Sequence, residues 1–190
     1  MMRLSPIDSR RLVPVYDRLA WTYNFWSHLT EDRAHRRALE FCEIEVEENS
    51  RILEVAVGTG LMAAKVLQKN PNTRFWGVDL SVGMLRRCRV ALGCTRAASY
   101  ALCRSDAVRT AFASGSFDLL VNCYMLDLMP EKDIVGALQE FARVLRPGGK
   151  LVILSMAEPG PVLRPLWYGA YRLSPKIVGG CRPVPVTDFL

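Results

Sequence analysis

A short apolar run that ends in small residues constrains this chain more than any other feature. Residues 51–60 read Arg-Ile-Leu-Glu-Val-Ala-Val-Gly-Thr-Gly, and Leu61, Ala64 and Leu67 then recur at helical spacing. The pattern predicts a buried strand, a tight turn and a helix. Small residues at the turn let a ligand approach the backbone, and the first amides of the helix point towards it. The stretch predicts a nucleotide-type cradle, with a bare structural turn as the alternative.

An acidic residue farther along strengthens the ligand hypothesis. Residues 74–79 predict the next buried strand, and Asp79 stands at its end, nineteen residues after Gly60. A carboxylate there can accept hydrogen bonds from both hydroxyls of a ribose, as in doubly wound nucleotide-binding sheets. A solvated acid at a strand end is the alternative, and the spacing from the glycine turn disfavours it.

Composition and charge limit the class of protein. With 190 residues, 50% of them hydrophobic and 23% charged, the chain is long enough for one globular domain with a real core. It has no apolar run as long as a membrane span and no signal-peptide pattern at its start, so we expect a cytoplasmic location. The net charge of +6 is spread along the chain. This predicts a mildly basic enzyme and no nucleic-acid partner.

Neither the cysteines nor the histidines predict a metal site. The six cysteines include no C-x-x-C pair, and several lie in apolar segments. They are therefore interpreted as reduced, mostly buried thiols. His28 and His35 are seven residues apart and lack partner ligands, so both are expected to be surface or structural residues.

The middle of the chain predicts a crossover without a long helix. Residues 100–105 and 117–122 are expected strands, and the eleven residues Asp106–Ser116 join them. Eleven extended residues reach about 36 Å. Crossing three strand spacings and returning along one strand needs roughly 25 Å. The connection is therefore long enough.

The second half continues the alternation of strands and helices. Apolar residues from Ile134 to Leu145 recur at helical spacing, Pro147-Gly148-Gly149 is expected to stop that helix, and residues 150–156 form a fifth strand. Five such alternations predict an α/β fold with a doubly wound, mostly parallel sheet. Ligands of these sheets bind beyond the carboxyl ends of the strands. The polar and small residues expected there are Gly58, Asp79, Asp106 and Asn122.

Three segments are predicted within one domain. Residues 1–50 are an N-terminal helical lid, residues 51–157 the cofactor-binding core, and residues 158–190 a C-terminal tail. The pattern from Val15 to Phe41 is helical and rich in aromatics, which could wall a ligand or simply pack on the sheet. In the tail, the amphipathic stretch Leu163–Ile177 could cover the site, touch a membrane surface, or pack on its own domain.

The glycine turn leaves two cofactor classes open. Its glycines with Ala63 fit the G-x-G-x-x-A pattern of a dinucleotide site, so an NAD-type oxidoreductase is one alternative. Glu54 inside the first strand is out of place in that pattern but suits a ligand with an ammonium group. Asp106 offers a carboxylate to an adenine amino group. A third feature also argues against a dinucleotide site. It is the segment Arg143–Leu151, which reads Arg-Val-Leu-Arg-Pro-Gly-Gly-Lys-Leu.

With these features the sequence resembles the class I S-adenosylmethionine-dependent methyltransferases, and within them the ubiquinone and menaquinone C-methyltransferase branch. The resemblance covers residues 16–159 and is most specific at Leu53–Gly60, at Gly77–Ser81 with Met84-Leu85, at Ser116–Asp118 and at the Arg-Pro-Gly-Gly turn. It implies a Rossmann-like sheet with strand order 3-2-1-4-5. It also implies S-adenosyl-L-methionine as the cofactor and a small-molecule substrate.

The resemblance also implies roles for single residues. Glu54, Ala56, Gly58, Thr59 and Gly60 would hold the methionine part of the cofactor. Asp79 would bind its ribose, and Asn122 would lie near its sulfonium. The remaining residues would contact the adenine or close the lid: Leu80, Met84, Asp106 and Ala107 for the adenine side, and Tyr16, Tyr23 and Arg33 for the lid.

Two departures from the family pattern bear on function. Ala56 replaces the first glycine of the motif, a small change that we expect to preserve binding. The family's sheet normally continues with a helix and two further strands, and this chain stops at Val186–Leu190, about where that unit would begin. The fifth strand would then have an exposed edge, covered by the tail or by a second copy in a homodimer.

The resemblance implies transfer of a methyl group to a small hydrophobic or aromatic acceptor, a quinol or phenol ring or a thiol. Such a reaction needs alignment and exclusion of water more than a protein nucleophile. No catalytic base is predicted, and His28, Tyr124 and Asp127 are candidates by position only. The alternative is a non-catalytic subunit that binds S-adenosylmethionine and serves a partner.

Overall fold

The computed structural model describes residues 32–44, 48–93, 99–156, 160–162, 164–173 and 182–189. These residues contain five strands, five α-helices and two short 3-10 helices. The strands are β1 (Arg51–Val55), β2 (Arg74–Asp79), β3 (Tyr100–Arg104), β4 (Phe117–Cys123) and β5 (Leu145–Leu154). The helices are α1 (Asp32–Ile44), α2 (Leu61–Lys69), α3 (Val82–Gly93), α4 (Glu131–Val144) and α5 (Arg164–Leu173), with 3-10 turns at Leu126–Leu128 and Val186–Phe189.

The five strands form one parallel sheet in the order β3-β2-β1-β4-β5. The predicted order is confirmed, and so is the doubly wound fold class. The chain crosses from β3 to β4 through residues 105–116, which contain no helix, as the distance argument expects. The first half of the sheet therefore grows outward from β1 in one direction and the second half in the other. This reversal opens a crevice between β1 and β4.

Each face of the sheet buries its own apolar cluster. Alternate residues of a strand point to opposite faces, so Ile52 packs with α1, α2 and α3, and Leu53 packs with α4. On the first face lie Val66, Leu67, Cys88 and Leu92, and on the second lie Ile134, Leu138, Phe141 and Val144. Both layers exclude water from the sheet, which explains why β1 and β4 are buried almost throughout.

Several predicted bounds agree with the structure. Helix α2 and strand β2 occupy the expected residues, and α3 begins directly after Ser81. The Ser81 hydroxyl accepts a hydrogen bond from the Met84 amide at 3.0 Å, which caps the helix. Helix α1 extends to Ile44, three residues beyond Phe41, the predicted end of the N-terminal helical pattern.

The junction of α4 and β5 differs from the prediction. The helix already ends at Val144, and Leu145 adopts an extended conformation (φ −72°, ψ 139°) opposite Phe117. Pro147-Gly148-Gly149 therefore lies inside β5, and the pairing shifts between Phe117 and Leu119. Gly148 has a φ of +77°, which a glycine adopts without strain, so the chain can bulge there and resume pairing at Lys150.

The C-terminal segment packs on the α4 face. Val184, Val186 and Phe189 join its apolar cluster, and the Arg182 amide donates to the Asp127 carbonyl at 3.1 Å. Strand β5 is the outer strand of the sheet, and the described part of the tail adds no strand to it. Helix α5 realises part of the predicted amphipathic stretch, with Tyr168 and Tyr171 buried. Among the described residues, no helix is both long enough and apolar enough to cross a membrane.

Candidate active site

The carboxyl ends of four strands meet at one edge of the sheet. Val55, the last residue of β1, pairs with Val78 on one side and with Asn122 on the other. Asp79 pairs with Arg104, the last residue of β3. Residues that are far apart in the chain, from Glu54 to Asn122, are therefore brought to the same edge. This is the place predicted from the alternation of strands and helices.

The turn after β1 has no room for a side chain at Gly60. Gly60 has a φ of +86°, and a Cβ atom placed on it would lie 2.9 Å from the Cys88 sulfur. Ala56 also has a positive φ, 59°, although it carries a side chain. An L-residue in the left-handed region is strained by about 1–2 kcal/mol. The fold holds this strain at the head of the cradle, a kind of place where strained residues are often functional.

Glu54 is the most unusual group at this edge. Its side chain is only 2% exposed, and its Oε2 atom has no hydrogen-bond partner within the described residues. Burial, with a smaller contribution from the negative charge of Asp79, raises the pKa of the Glu54 carboxyl well above its ordinary value. A buried acceptor without a donor is destabilising, so it needs a ligand group or a proton as its partner.

Asp79 is held in place by the backbone of the cradle. Its Oδ2 accepts the Gly58 amide and its Oδ1 accepts the Ser81 amide, both at 2.9 Å. The two bonds tie the end of β2 to the turn after β1 and fix the carboxylate plane. Because each carboxylate oxygen has more than one lone pair, the group can still accept from two neighbouring hydroxyls. The predicted ribose acceptor is thus oriented before any ligand binds.

The loop after β3 is anchored from below by α4. Asp106 accepts the Val108 amide through Oδ1 at 3.2 Å, and Ala107 is half-buried in the α4 cluster. Farther along the loop, Glu140 of α4 accepts both the Thr110 amide at 2.7 Å and the Thr110 hydroxyl at 2.6 Å.

Arg143 completes this anchor. Its guanidinium binds both oxygens of Glu140, at 2.8 and 2.7 Å, and donates to the Phe112 carbonyl at 2.8 Å. These bonds lower the pKa of Glu140 to about 2, with Arg143 as the main cause. Sequence reasoning did not find this network. The Glu-x-x-Arg spacing on the helix was a usable signal, but nothing in the sequence showed that the loop was its partner.

Asn122 closes the crevice between β1 and β4. It is fully buried, and its Nδ2 donates to the Val55 carbonyl at 2.8 Å. Its Oδ1 has no hydrogen-bond partner among the described residues. Asn122 and Glu54 thus both leave a buried acceptor oxygen open.

The other predicted contacts are placed as follows. Thr59 and Met84 are buried, and Leu80 is half-buried, with its carbonyl accepting from Arg104 Nε at 3.1 Å. Arg33 lies in the first turn of α1, where the structure describes the backbone but not the side chain. Tyr16 and Tyr23 lie outside the described residues, so their part in a lid stays a prediction, as does the division into three segments.

The base candidates differ in surroundings. Asp127 is fully buried, and it accepts the Ser155 hydroxyl at 2.6 Å and the Met156 amide at 2.9 Å. Its two oxygens thus join the start of the 3-10 turn to the end of β5, which indicates a structural role. Tyr124, directly after β4, has a φ of 55°, and its ring contacts the buried His35 edge-on at 5.9 Å. His28 lies outside the described residues.

Comparison with known proteins identifies the family. Residues 52–149, more than half of the chain, match a family described as a methyltransferase domain. This chain belongs to that methyltransferase family. The matched region begins in β1 and ends in β5, so it contains the cradle, Asp79, Asp106 and Asn122. Family membership confirms the predicted cofactor, S-adenosylmethionine, and decides against the NAD-type oxidoreductase.

The names of two curated relatives of this chain refer to methylation in quinone biosynthesis or of a demethylated quinone. It is 32% identical to the ubiquinone/menaquinone biosynthesis C-methyltransferase of Syntrophotalea carbinolica, over 84% of this chain and 65% of that protein. It is 30% identical to the demethylmenaquinone methyltransferase of Lactiplantibacillus plantarum, over 82% and 64%. The resemblance to this branch is confirmed, and the chain spans about 65% of the length of such relatives.

A solved structure supports the fold. An S-adenosylmethionine-dependent methyltransferase from Methanosarcina mazei superposes with a TM-score of 0.61 and 20% identity, covering 72% of this chain and 66% of that one. At this identity the likeness bears on architecture alone. It agrees with the five-stranded order described above.

The residues at the edge fit S-adenosylmethionine as a ligand. The open acceptors, Glu54 Oε2 and Asn122 Oδ1, need donors, and the cofactor carries an ammonium group and two ribose hydroxyls. Glu54 suits the ammonium best because a positive charge would offset the burial of its carboxylate. Gly58 and Gly60 carry no side chain, so backbone can face the ligand at this turn.

Proposed function

We propose that this chain is an S-adenosylmethionine-dependent methyltransferase that acts on a small hydrophobic or aromatic acceptor, a quinol or phenol ring in the first instance. The observation that carries the proposal is Glu54: a fully buried carboxyl with an open oxygen, one strand away from an oriented Asp79. Few uses other than a cationic ligand explain such an arrangement.

Each predicted residue receives a role in this proposal. Glu54 binds the ammonium group, and the amides around Gly58 and Gly60 face the methionine part. Asp79 binds the ribose hydroxyls. Asp106 and the loop that α4 anchors bind the adenine edge, and Asn122 presents its open oxygen to the end of the site nearest the acceptor. The walls of the cofactor site are formed by Ala56, Thr59, Leu80, Met84 and Ala107.

The chemistry follows from positioning. When bound, the cofactor supplies an activated methyl group on sulfur, ready for in-line displacement. The chain has to hold the acceptor in line with it and exclude water. Tyr124, directly after β4, and His35, which its ring contacts, offer aromatic walls of the kind that a ring acceptor needs. The lid residues Tyr16, Tyr23 and Arg33 are proposed to close over it.

The relatives favour the ring acceptor. Both named relatives methylate quinone precursors by name, and this chain shares about 30% of its residues with them over most of its length. The thiol acceptor stays a prediction. So does a homodimer through the outer edge of β5.

Calorimetric titration with S-adenosylhomocysteine, with NADH in parallel, tests the proposal. We expect micromolar binding of the former and none of the latter. Asp79→Asn keeps the shape of the side chain but removes its charge, and it should weaken binding at least about ten-fold, as a lost charged hydrogen bond does. Asp118→Asn, the same substitution at the amino end of β4 and so at the opposite edge of the sheet, is the control. Unchanged affinity in Asp79→Asn would overturn the ribose assignment.

Two further results separate an enzyme from a binding subunit. Methyl transfer to a demethylated quinol by the chain alone would support the enzyme. Tight binding of S-adenosylhomocysteine without turnover of any quinol, phenol or thiol would favour the subunit that serves a partner. A solved structural neighbour, a methyltransferase from Haloferax volcanii in complex with an activator, shows that proteins of this fold can work with a partner.

A further inference from the structure

The loop after β4, residues 124–130, begins two residues after Asn122. It contains the 3-10 turn Leu126–Leu128 but neither a strand nor an α-helix. Its first residue, Tyr124, has a φ of 55°, a strained conformation for a residue with a side chain. Such strain persists only where the surrounding structure holds the backbone in place. The shape of this loop therefore depends on its contacts with other parts of the chain.

The loop after β4 also sets which way the Asn122 amide points. The Nδ2 atom of Asn122 donates to the Val55 carbonyl at 2.8 Å and to the Met125 sulfur, within the loop, at 3.7 Å. Both N–H groups thus have acceptors, and Oδ1 is the atom left open among the described residues. Rotating the amide by half a turn would place Oδ1 against these two acceptors. Met125 therefore couples the position of the loop to the orientation of the open oxygen.

The C-terminal segment holds this loop from the side of α4. Arg182 is only 8% exposed, its backbone amide donates to the Asp127 carbonyl at 3.1 Å, and its Nη2 atom donates to the Met129 carbonyl at 2.7 Å. Val184 packs in the same apolar cluster as Met129. A residue more than fifty positions farther along the chain thus binds two carbonyls of the loop.

Charge reinforces this contact. Burial raises the pKa of the Asp127 carboxyl, whereas its bonds from Ser155 and Met156 and the positive charge of Arg182 lower it. Asp127 is fully buried, so its carboxylate depends on these partners for stability. The loop after β4 is therefore held on one side by the end of β5 and on the other by Arg182.

We propose that Arg182 is a positioning residue for methyl transfer. It holds the loop after β4 in the shape that orients the open oxygen of Asn122 and the ring of Tyr124 at the acceptor end of the site. This inference rests on the proposed function. The proposed cofactor contacts of Glu54 and Asp79 come from β1 and β2 instead of this loop. Loss of Arg182 should therefore slow turnover more than it weakens cofactor binding.

Steady-state kinetics of Arg182→Gln and Arg182→Lys with a demethylated quinol test the proposal. We expect kcat of Arg182→Gln to fall about ten- to a hundred-fold, because a misplaced reacting group costs that much. Its affinity for S-adenosylhomocysteine should stay within about three-fold of the unmodified chain.

Arg182→Lys should recover most of the lost kcat. Among the described residues the Arg182 side chain makes a single hydrogen bond, to Met129, and an ammonium group can make that bond and keep the charge. A lysine variant as slow as Arg182→Gln would overturn the proposal. A loss of cofactor affinity as large as the loss of kcat would overturn it as well.

The matched control is Asp118→Asn. It also removes one charged partner of an ion pair, since Asp118 lies 2.6 Å from the Arg146 Nε atom, but at the amino end of β4. We expect its kcat to stay within about two-fold of the unmodified chain. An equal loss of kcat in Asp118→Asn and Arg182→Gln would show a general effect of stability and overturn the positioning role.

Nuclear magnetic resonance of the unliganded chain, labelled with ¹³C at the methionine methyl groups, tests the loop without turnover. In Arg182→Gln the Met125 and Met129 signals should shift or split, while those of Met62 and Met84, buried on α2 and α3, should not. An unchanged Met125 signal would overturn the proposal. The measurement also keeps the two proposals apart. Shifted Met125 signals in a chain whose unmodified form transfers no methyl group would count against the proposed function alone.

Discussion

Two buried glutamates of this molecule have opposite surroundings. Glu140, on α4, accepts four hydrogen bonds from Thr110 and Arg143, and its pKa is lowered to about 2. Glu54, in β1, has an open oxygen, and its pKa is raised by burial and by the charge of Asp79. Both side chains are less than a tenth exposed. Burial alone therefore does not distinguish them.

The difference separates a residue that serves the fold from one that serves a ligand. Around Glu140 the chain supplies every partner, so the carboxylate is stable as a charge and the loop after β3 is held in place. Around Glu54 the described residues supply burial and the negative charge of Asp79 but no donor to Oε2, so the carboxylate lacks a partner there. An incomplete buried charge is unfavourable unless a cation binds there.

The largest expected effect comes from Glu54→Gln. We expect it to weaken S-adenosylhomocysteine binding about ten- to a hundred-fold, because the amide cannot neutralise an ammonium group. Stability should hold or rise, since a neutral side chain replaces a carboxyl that is unfavourable when charged. Calorimetry and thermal unfolding of the unliganded chain measure the two effects. Loss of stability with unchanged affinity would place Glu54 in the fold instead of the site.

Glu140→Gln should give the reverse result. It removes the charge that holds Thr110 and Arg143 together, so we expect the melting temperature to fall by about 3–8 °C. Cofactor affinity should fall much less than in Glu54→Gln, because the loop only supports the adenine contact. Lys132→Gln, at an exposed position on the same helix, is the control. A larger loss of affinity than of stability would contradict the comparison.

The pH dependence of stability should separate the two residues by sign. The folded chain releases the Glu140 proton at a lower pH than the unfolded chain does. Its stabilisation is therefore present above the ordinary value of 4.5 and is lost as the pH falls towards 2. The folded chain keeps the Glu54 proton longer than the unfolded chain, so stability falls as the pH rises above 4.5 through the raised pKa.

Denaturant unfolding of the chain and both variants over a pH series measures this. The deficit of Glu140→Gln should shrink on acidification below pH 4.5. The advantage of Glu54→Gln should grow as the pH rises above that value. Parallel curves for all three proteins would show that neither carboxyl titrates differently in the folded state.

The smallest expected effect is that of Ala56→Gly. Glycine relieves the left-handed strain at the head of the cradle but adds freedom to the unfolded chain. We expect a net gain of about 0.5–1 kcal/mol in the free energy of unfolding, with cofactor affinity within about two-fold. Urea unfolding is the test, with Ala64→Gly on α2, where glycine lowers helix stability, as the opposite control. Destabilisation by Ala56→Gly would mean that the methyl group packs usefully.

Much of the architecture followed from local patterns. The helix at 61–69 and the strand at 74–79 were predictable because their periodicity, small-residue turns and polar ends agree with one another. The junction at 145–149 was not predictable in this way. Pro147 and the glycines mark a break, but only pairing with Phe117 determines that the break lies inside a bulged strand.

The sequence by itself determined the sheet, its direction and the identity of the edge that carries Glu54, Asp79, Asp106 and Asn122. These depend on periods of two and of about 3.6 residues and on short-range turn chemistry, all of which are local. Only the tertiary structure decided which buried charges have partners. A hydrogen bond between Thr110 and Glu140 joins residues thirty positions apart. The Oε2 atom of Glu54 is open because, among the described residues, no donor from elsewhere in the chain reaches it. Neither can be read without knowing which side chains meet.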